Sequence, residues 1–165
     1  MPSLVVIFGR DRGRHFPLGK GAEIKIGRSS LLPNYLNDPS ISREHVQFVH
    51  QPHNGECMVV DLGARNGTKI NNKRLFRTQV LKDGDVLQMG YTLMVFVRVT
   101  FDANNSIKEF LEMCEHTYAR DLERIRDHGS IHVDRDDPGY RSAGSMSGTL
   151  HLGKLFKKKK SQHLK

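Results

Sequence analysis

Long hydrophobic runs are missing from this sequence. None approaches the roughly 18 apolar residues that a bilayer-spanning helix needs, so no such helix is expected. Cysteine is scarce: the only two, Cys57 and Cys114, stand far apart and outside any metal-ligand spacing. They support neither a disulfide framework nor a zinc site, and both read as reduced, core or half-buried thiols. The nine histidines are scattered, with no HExxH or CxxC-type cluster, so metal catalysis has no evident home. The first residues lack the basic start and long apolar stretch of a secretory signal, and a cytoplasmic location is expected. Acidic residues are absent from positions 141–165.

The apolar fraction of 37% and charged fraction of 27% over 165 residues fit one soluble globular domain with a polar appendage. The net charge of +8 is unevenly divided. Residues 1–101 hold 14 Lys/Arg against 8 Asp/Glu, residues 102–140 hold 5 against 10, and residues 141–165 hold 7 against none. A basic domain and a basic tail are therefore separated by an acidic segment.

Short β-branched or aromatic runs alternate with turn residues through the first hundred positions, the mark of an antiparallel all-β sandwich or barrel. Strands are expected at 4–8, 14–17, 23–26, 46–50, 57–61, 68–70, 79–81, 86–89 and 92–100. Asn54-Gly55 and Asp83-Gly84 suit tight turns needing positive φ, and each lies between two strand-like runs. Short hairpins are thus expected throughout, except for one long loop, 28–42, with Tyr35-Leu36 as a brief strand. Long loops on a rigid scaffold are where binding residues usually sit.

From 106 to 128 the period changes. Ile107, Phe110, Leu111, Cys114, Tyr118, Leu122 and Ile125 form one apolar stripe of a helix, and Ser106 with Glu109 fits a capping box. The stripe must be buried on the chain's own β-domain, on a second copy or on a partner. Beyond Gly129 periodicity ends, and a disordered tail is expected, closing in Lys157-Lys158-Lys159-Lys160. That lysine run could meet anionic lipid or nucleic acid; a solvated tail is the plainer reading. Ser142, Ser145, Ser147 and Thr149 are candidate kinase sites, and phosphorylated Thr149 could fold back onto the domain.

Five elements stand in one order: Gly27-Arg28; Ser42-Arg43-Glu44-His45; Asp61 through Thr68, including Asn66-Gly67; Asn71; and Leu81-Lys82-Asp83-Gly84-Asp85. Together they resemble the forkhead-associated (FHA) domain across roughly residues 3–100. The resemblance implies an antiparallel β-sandwich that binds a phosphothreonine-containing protein in Ser/Thr kinase signalling, with no catalytic residue, metal or cofactor. The implied organisation is an FHA domain at 1–101, a linker and amphipathic helix at 102–128, and a disordered basic tail at 129–165. The alternative is a phospho-independent scaffold, or a homodimer through the 106–128 helix.

The residue chemistry agrees. A phosphate monoester carries about −1.5 to −2 charge at neutral pH and several acceptor oxygens, so its receptor needs a permanent cation and neutral donors. Arg28 supplies the cation and Ser42 a compact hydroxyl. Taken alone Arg28 reads as a solvated surface charge; between Gly27 and a long loop it reads as the phosphate clamp. Asn66 can donate and accept at once, as reading a peptide main chain requires, and the resemblance assigns it that contact. Arg43 and Arg65 are secondary contacts or supporting positive field. His45 beside Ser42 invites a general-base role, but it has no orienting acid or oxyanion hole. The resemblance makes His45, Thr68 and Asn71 architectural, with Gly27 and Gly67 supporting the site. One departure is Ala64, where the family commonly has Ser.

Overall fold

The computed structural model describes residues 1–101 and 106–128, with side chains described as far as Tyr118. The strands are β1 (Ser3–Phe8), β2 (His15–Pro17), β3 (Glu23–Ile26), β4 (Val46–His50), β5 (Cys57–Asp61), β6 (Thr68–Ile70), β7 (Lys73–Arg74), β8 (Gln79–Val80), β9 (Val86–Met89) and β10 (Thr92–Val97), followed by helix α1 (Ile107–His128). They form a six-stranded sheet ordered β2-β1-β10-β9-β6-β7 and a four-stranded sheet ordered β3-β4-β5-β8. Every strand pairing is antiparallel. The expected tail at 129–165, with its lysine run and Thr149, lies outside the described residues, as do residues 102–105 and the side chains of Leu122 and Ile125.

Alternation along the strands builds the core. Leu4 and Val6 of β1, Leu87 and Met89 of β9, and Met94 and Phe96 of β10 face Ile26, Val46, Phe48, Cys57 and Val59 of the other sheet. Each such buried aliphatic, methionine or phenylalanine side chain contributes about 1.5–3 kcal/mol of transfer free energy. In β1 and β10 the intervening residues are buried too, which explains why SLVVIF and TLMVFV read as near-continuous apolar runs. A strand covered on both faces needs such a run. Here Val5, Ile7, Leu93, Val95 and Val97 form a second cluster with Phe110, Leu111, Cys114 and Tyr118 of α1.

The helical stripe as far as Tyr118 is therefore covered by the chain's own sheet and is not open to a second copy. Burial pushes the Cys114 thiol up to about 12 and the Cys57 thiol up to about 11, so both are protonated and inert as nucleophiles at neutral pH. At the helix start, Ser106 Oγ accepts the Lys108 N–H at 3.2 Å, an N-cap bond. Helical geometry is interrupted at Tyr118, with φ −109° and ψ 16°.

The expectation of short hairpins needs correction. Asn54-Gly55 does lie in the β4–β5 hairpin, with Gly55 at φ 69°. Asp83-Gly84 does not make a hairpin: β8 pairs with β5 in one sheet, while β9 pairs with β6 and β10 in the other. Its carboxylates explain the crossing. Asp83 accepts the Arg98 N–H at 2.8 Å, and Asp85 accepts the Lys82 N–H and the Asn71 amide, both at 2.8 Å. The connections β2–β3, β5–β6 and β7–β8 also change sheets. A two-residue hairpin does occur at Asn71-Asn72, with φ 48° and 68°, leading into β7, a strand too short and polar to show an alternating pattern.

Candidate functional site

The site is assembled where β3 ends and the β3–β4 and β5–β6 loops meet. Gly27 is buried, and a Cβ built on it would lie 2.1 Å from the Arg43 carbonyl oxygen and 2.9 Å from the Glu44 Cα. Main chain thus packs directly on main chain, and only glycine fits. Across this contact the Arg28 N–H donates to the Ser42 carbonyl at 3.0 Å, and the Ser29 N–H donates to the Arg43 carbonyl at 3.2 Å. The expected brief strand at Tyr35 appears as an isolated parallel bridge to Gly27.

His45 lies fully buried beneath this contact. Its Nδ1 accepts the Ser42 N–H at 3.0 Å, so its Nε2–H donates to the Gly67 carbonyl at 3.2 Å. One neutral imidazole therefore joins the two loops. Burial holds the His45 pKa below the usual histidine value, against the opposing pull of the Gly67 carbonyl and the Asp61 and Asp38 carboxylates. The folded state then binds fewer protons here than the unfolded chain. The stability this contributes is fully present above about pH 6.5 and is lost as pH falls toward the depressed folded value. The denaturant midpoint is expected to drop between pH 7.5 and 5, and His45→Gln should flatten that drop. An equally steep profile in the variant would remove His45 as its cause.

The Ser42 hydroxyl oxygen accepts the Arg65 N–H at 3.1 Å, which leaves its single hydrogen to donate elsewhere. Asn66 is exposed and donates its amide to the Ser40 carbonyl at 2.7 Å, leaving its carbonyl oxygen and second amide hydrogen to bond elsewhere. Asp61 braces the loop, one carboxylate oxygen accepting the Gly63 and Ala64 N–H groups at 2.9 and 2.8 Å and the other the Thr68 hydroxyl at 2.7 Å. The loop is thus held without a hydroxyl at Ala64, which is itself buried. Asn71 ties the β6–β7 turn to β9, its Oδ1 accepting the Val86 N–H at 2.9 Å.

Arg28, Arg43 and Arg65 are all exposed. Among the described residues none of them is in an ion pair, and Glu44, the acid next to Arg43, is held by Lys25 at 2.9 Å. Arg28, Arg43 and Arg65 thus stand exposed and outside any ion pair among the described residues, on loops held by main-chain bonds.

Sequence reasoning missed what anchors the long loop. Asp38 is 3% exposed and accepts bonds from the Ser40 N–H and hydroxyl, the Tyr91 N–H and the Thr92 hydroxyl. Asp11 accepts the Asn37 N–H at 2.6 Å, and Arg14 donates to the Tyr35 carbonyl at 2.6 Å while its guanidinium covers the Tyr35 ring. The Asp38-Pro39-Ser40 run was a local hint of a turn. Nothing in the sequence joined Asp38 to Tyr91 or Asp11 to Asn37.

The fold and these loops define a β-sandwich recognition domain whose candidate site is made of loop residues. The chain belongs to the FHA domain family, whose model matches residues 6–90. An oxoglutarate dehydrogenase inhibitor of Corynebacterium efficiens is 36% identical over 94 residues, covering 57% of this chain and 63% of that protein. The chain thus matches a little under two thirds of that relative's length. The FHA domain of the CT664 protein of Chlamydia trachomatis has 26% identity and a TM-score of 0.56, over 60% of this chain and 98% of that one. An FHA domain solved in work on phosphothreonine-dependent FHA interactions has 26% identity and a TM-score of 0.51, over 61% and 98%. Among the described residues no helix is long and apolar enough to cross a membrane.

Proposed function

We propose that this chain is a non-enzymatic adaptor that binds a phosphothreonine-bearing segment of a partner protein in Ser/Thr kinase signalling. Arg28 and Ser42 hold the phosphate, Asn66 reads the adjacent main chain, and Arg43 and Arg65 add secondary contacts. The observation that carries this reading is the convergence of exposed Arg28, the Ser42 hydroxyl and Asn66 on two loops joined through His45. Loops held in this way keep Ser42 and Asn66 placed for a ligand at lower ordering cost, and the phosphothreonine dependence described for a similar FHA domain supports the choice of ligand.

The test is titration of the full chain with phosphothreonine, phosphoserine and unphosphorylated peptide pools. Binding is expected only to phosphorylated peptides. The threonine form should be favoured about fourfold or more, a buried methyl contributing about 0.8 kcal/mol. Arg28→Ala should weaken binding about 10- to 150-fold, the equivalent of about 1.5–3 kcal/mol for a charge-assisted bond. Equal binding of the unphosphorylated pool, or no effect of Arg28→Ala, would sink the proposal.

A further inference from the structure

We infer that helix α1 sets the strength of the phosphate site through the β1–β2 loop, residues 9–14: the docked helix holds that loop, and the loop holds the segment packed beside Arg28. Phosphopeptide affinity and helix docking are thereby coupled. The inference rests on the reading of the Arg28 site given above. The helix lies beyond residue 90, where the family match ends.

The β1–β2 loop is bonded in two directions. Toward the helix, Arg12 Nη2 donates to Glu115 Oε1 at 2.6 Å. The Leu111 Cδ1 would stand 3.6 Å from a Cβ built on Gly13, so α1 also packs over the loop's glycine. Toward the long ligand loop, Asp11 Oδ2 accepts the Asn37 N–H and Arg14 Nη1 donates to the Tyr35 carbonyl, both at 2.6 Å. Internal bonds stiffen what lies between. The Gly13 N–H donates to the Val6 carbonyl and the Val6 N–H to the Arg14 carbonyl, both at 2.9 Å, and the Arg14 N–H donates to the Asp11 carbonyl at 3.0 Å. The Arg14 guanidinium also pairs with Asp11 Oδ1 at 3.3 Å.

From Tyr35 the path to the site is short. Tyr35 bridges Gly27, and the Leu36 N–H donates to the Gly27 carbonyl at 2.8 Å. Gly27 precedes Arg28 and is packed main chain against main chain on Arg43 and Glu44. The element with two states is α1. Phe110, Leu111, Cys114 and Tyr118 bury it on the sheet, and release of one helix is a local opening of lower free energy than global unfolding. Release frees Arg12 and uncovers Gly13, so the segment 35–37 loses its backing. Linkage then works both ways: the factor that docking adds to peptide affinity is the factor that bound peptide adds to docking.

The test combines amide hydrogen exchange of the full chain, resolved by NMR, with titration of the phosphothreonine peptide pool. Saturating peptide is expected to slow exchange of the α1 amides about fivefold or more, while the Gly55 amide in the β4–β5 hairpin stays unchanged. In the free chain, Arg12→Gln should speed exchange of the Leu36 and Asn37 amides. It should weaken the peptide only about two- to threefold, since an exposed ion pair contributes little. Arg14→Gln should weaken it about fivefold, and Arg12→Gln should cost less in that background than alone. Gly55→Ala, which destabilises the fold away from these loops, should leave affinity and Leu36 exchange as they were.

The coupling is overturned if Arg12→Gln leaves either Leu36 exchange or affinity unaltered, or if Gly55→Ala weakens the peptide equally. It also fails if α1 amides exchange as slowly as the core amides of β4 and β5, because α1 would then have no docking step of its own. Peptide binding with unaltered α1 exchange refutes the coupling alone. Absence of binding to every phosphopeptide refutes the Arg28 reading and the coupling with it.

Discussion

Gly27→Ala is expected to destabilise the domain by about 3–5 kcal/mol and to abolish measurable phosphopeptide binding. The added Cβ would meet the Arg43 carbonyl oxygen at 2.1 Å, the Arg43 carbonyl carbon at 2.7 Å and the Glu44 Cα at 2.9 Å. All three are backbone atoms, so no side-chain rotation relieves the clash. Overpacking alone costs about 1–3 kcal/mol. Separating β3 from residues 42–45 would also stretch the Arg28-to-Ser42, Ser29-to-Arg43 and His45-to-Ile26 main-chain bonds, each contributing about 0.5–1.5 kcal/mol. Binding suffers because the same contact orients Arg28 and Ser42 toward one another. Gly55→Ala is the control: its φ is 69° with nothing within 4 Å of the added carbon, so only the conformational cost of about 1–2 kcal/mol applies. Chemical denaturation and peptide titration of both variants decide the matter. A Gly27→Ala loss no larger than the Gly55→Ala loss would remove close approach as the reason for glycine at 27, which is not among the positive-φ residues.

Asp38→Ala is expected to cost about 3–5 kcal/mol and to weaken peptide binding without touching the proposed ligand contacts. One Asp38 carboxylate oxygen accepts the Ser40 N–H at 2.9 Å and its hydroxyl; the other accepts the Tyr91 N–H at 3.0 Å and the Thr92 hydroxyl at 2.8 Å. Removing the carboxylate strands several part-buried donors, each costing about 1–3 kcal/mol if unsatisfied, with partial recovery by water. The effect reaches the site through Ser40, whose carbonyl holds the Asn66 amide. Asp38→Ala and Asn66→Ala should therefore be non-additive in peptide affinity, because the first releases the carboxamide that the second removes. Additive losses would mean that Asp38 does not position Asn66.

Strand positions were legible wherever apolar residues recur at short spacing between turn residues, as in Val46–His50 and Cys57–Asp61. The two-residue β7 was not, since Lys73-Arg74 offers no apolar alternation. The turn chemistry of Asp83-Gly84 was read correctly as a positive-φ site, with Gly84 at φ 93°, yet misread as a hairpin. A glycine specifies how sharply the chain bends, and which sheet the next strand joins depends on partners distant in sequence. The candidate site divides in the same way. Gly27-Arg28, Ser42, His45 and Asn66 were found from motif and chemistry, whereas Asp38, Asp11 and Arg14 were not.

By itself the sequence determined the all-β character of the first hundred residues and the helical stripe that follows, and it supplied the residue types on which the proposed phosphate site rests. These are local properties: periodicity, turn propensity and the charge or hydrogen-bonding capacity of single side chains. Tertiary structure alone decided that the stripe from Ile107 to Tyr118 covers β1 and β10, that His45 joins Ser42 to Gly67, and that Arg74 lies against the residue following Asn66. Each of these depends on which surfaces meet when two sheets and a helix pack together. That packing is settled by the burial of whole faces, which no short stretch of chain encodes.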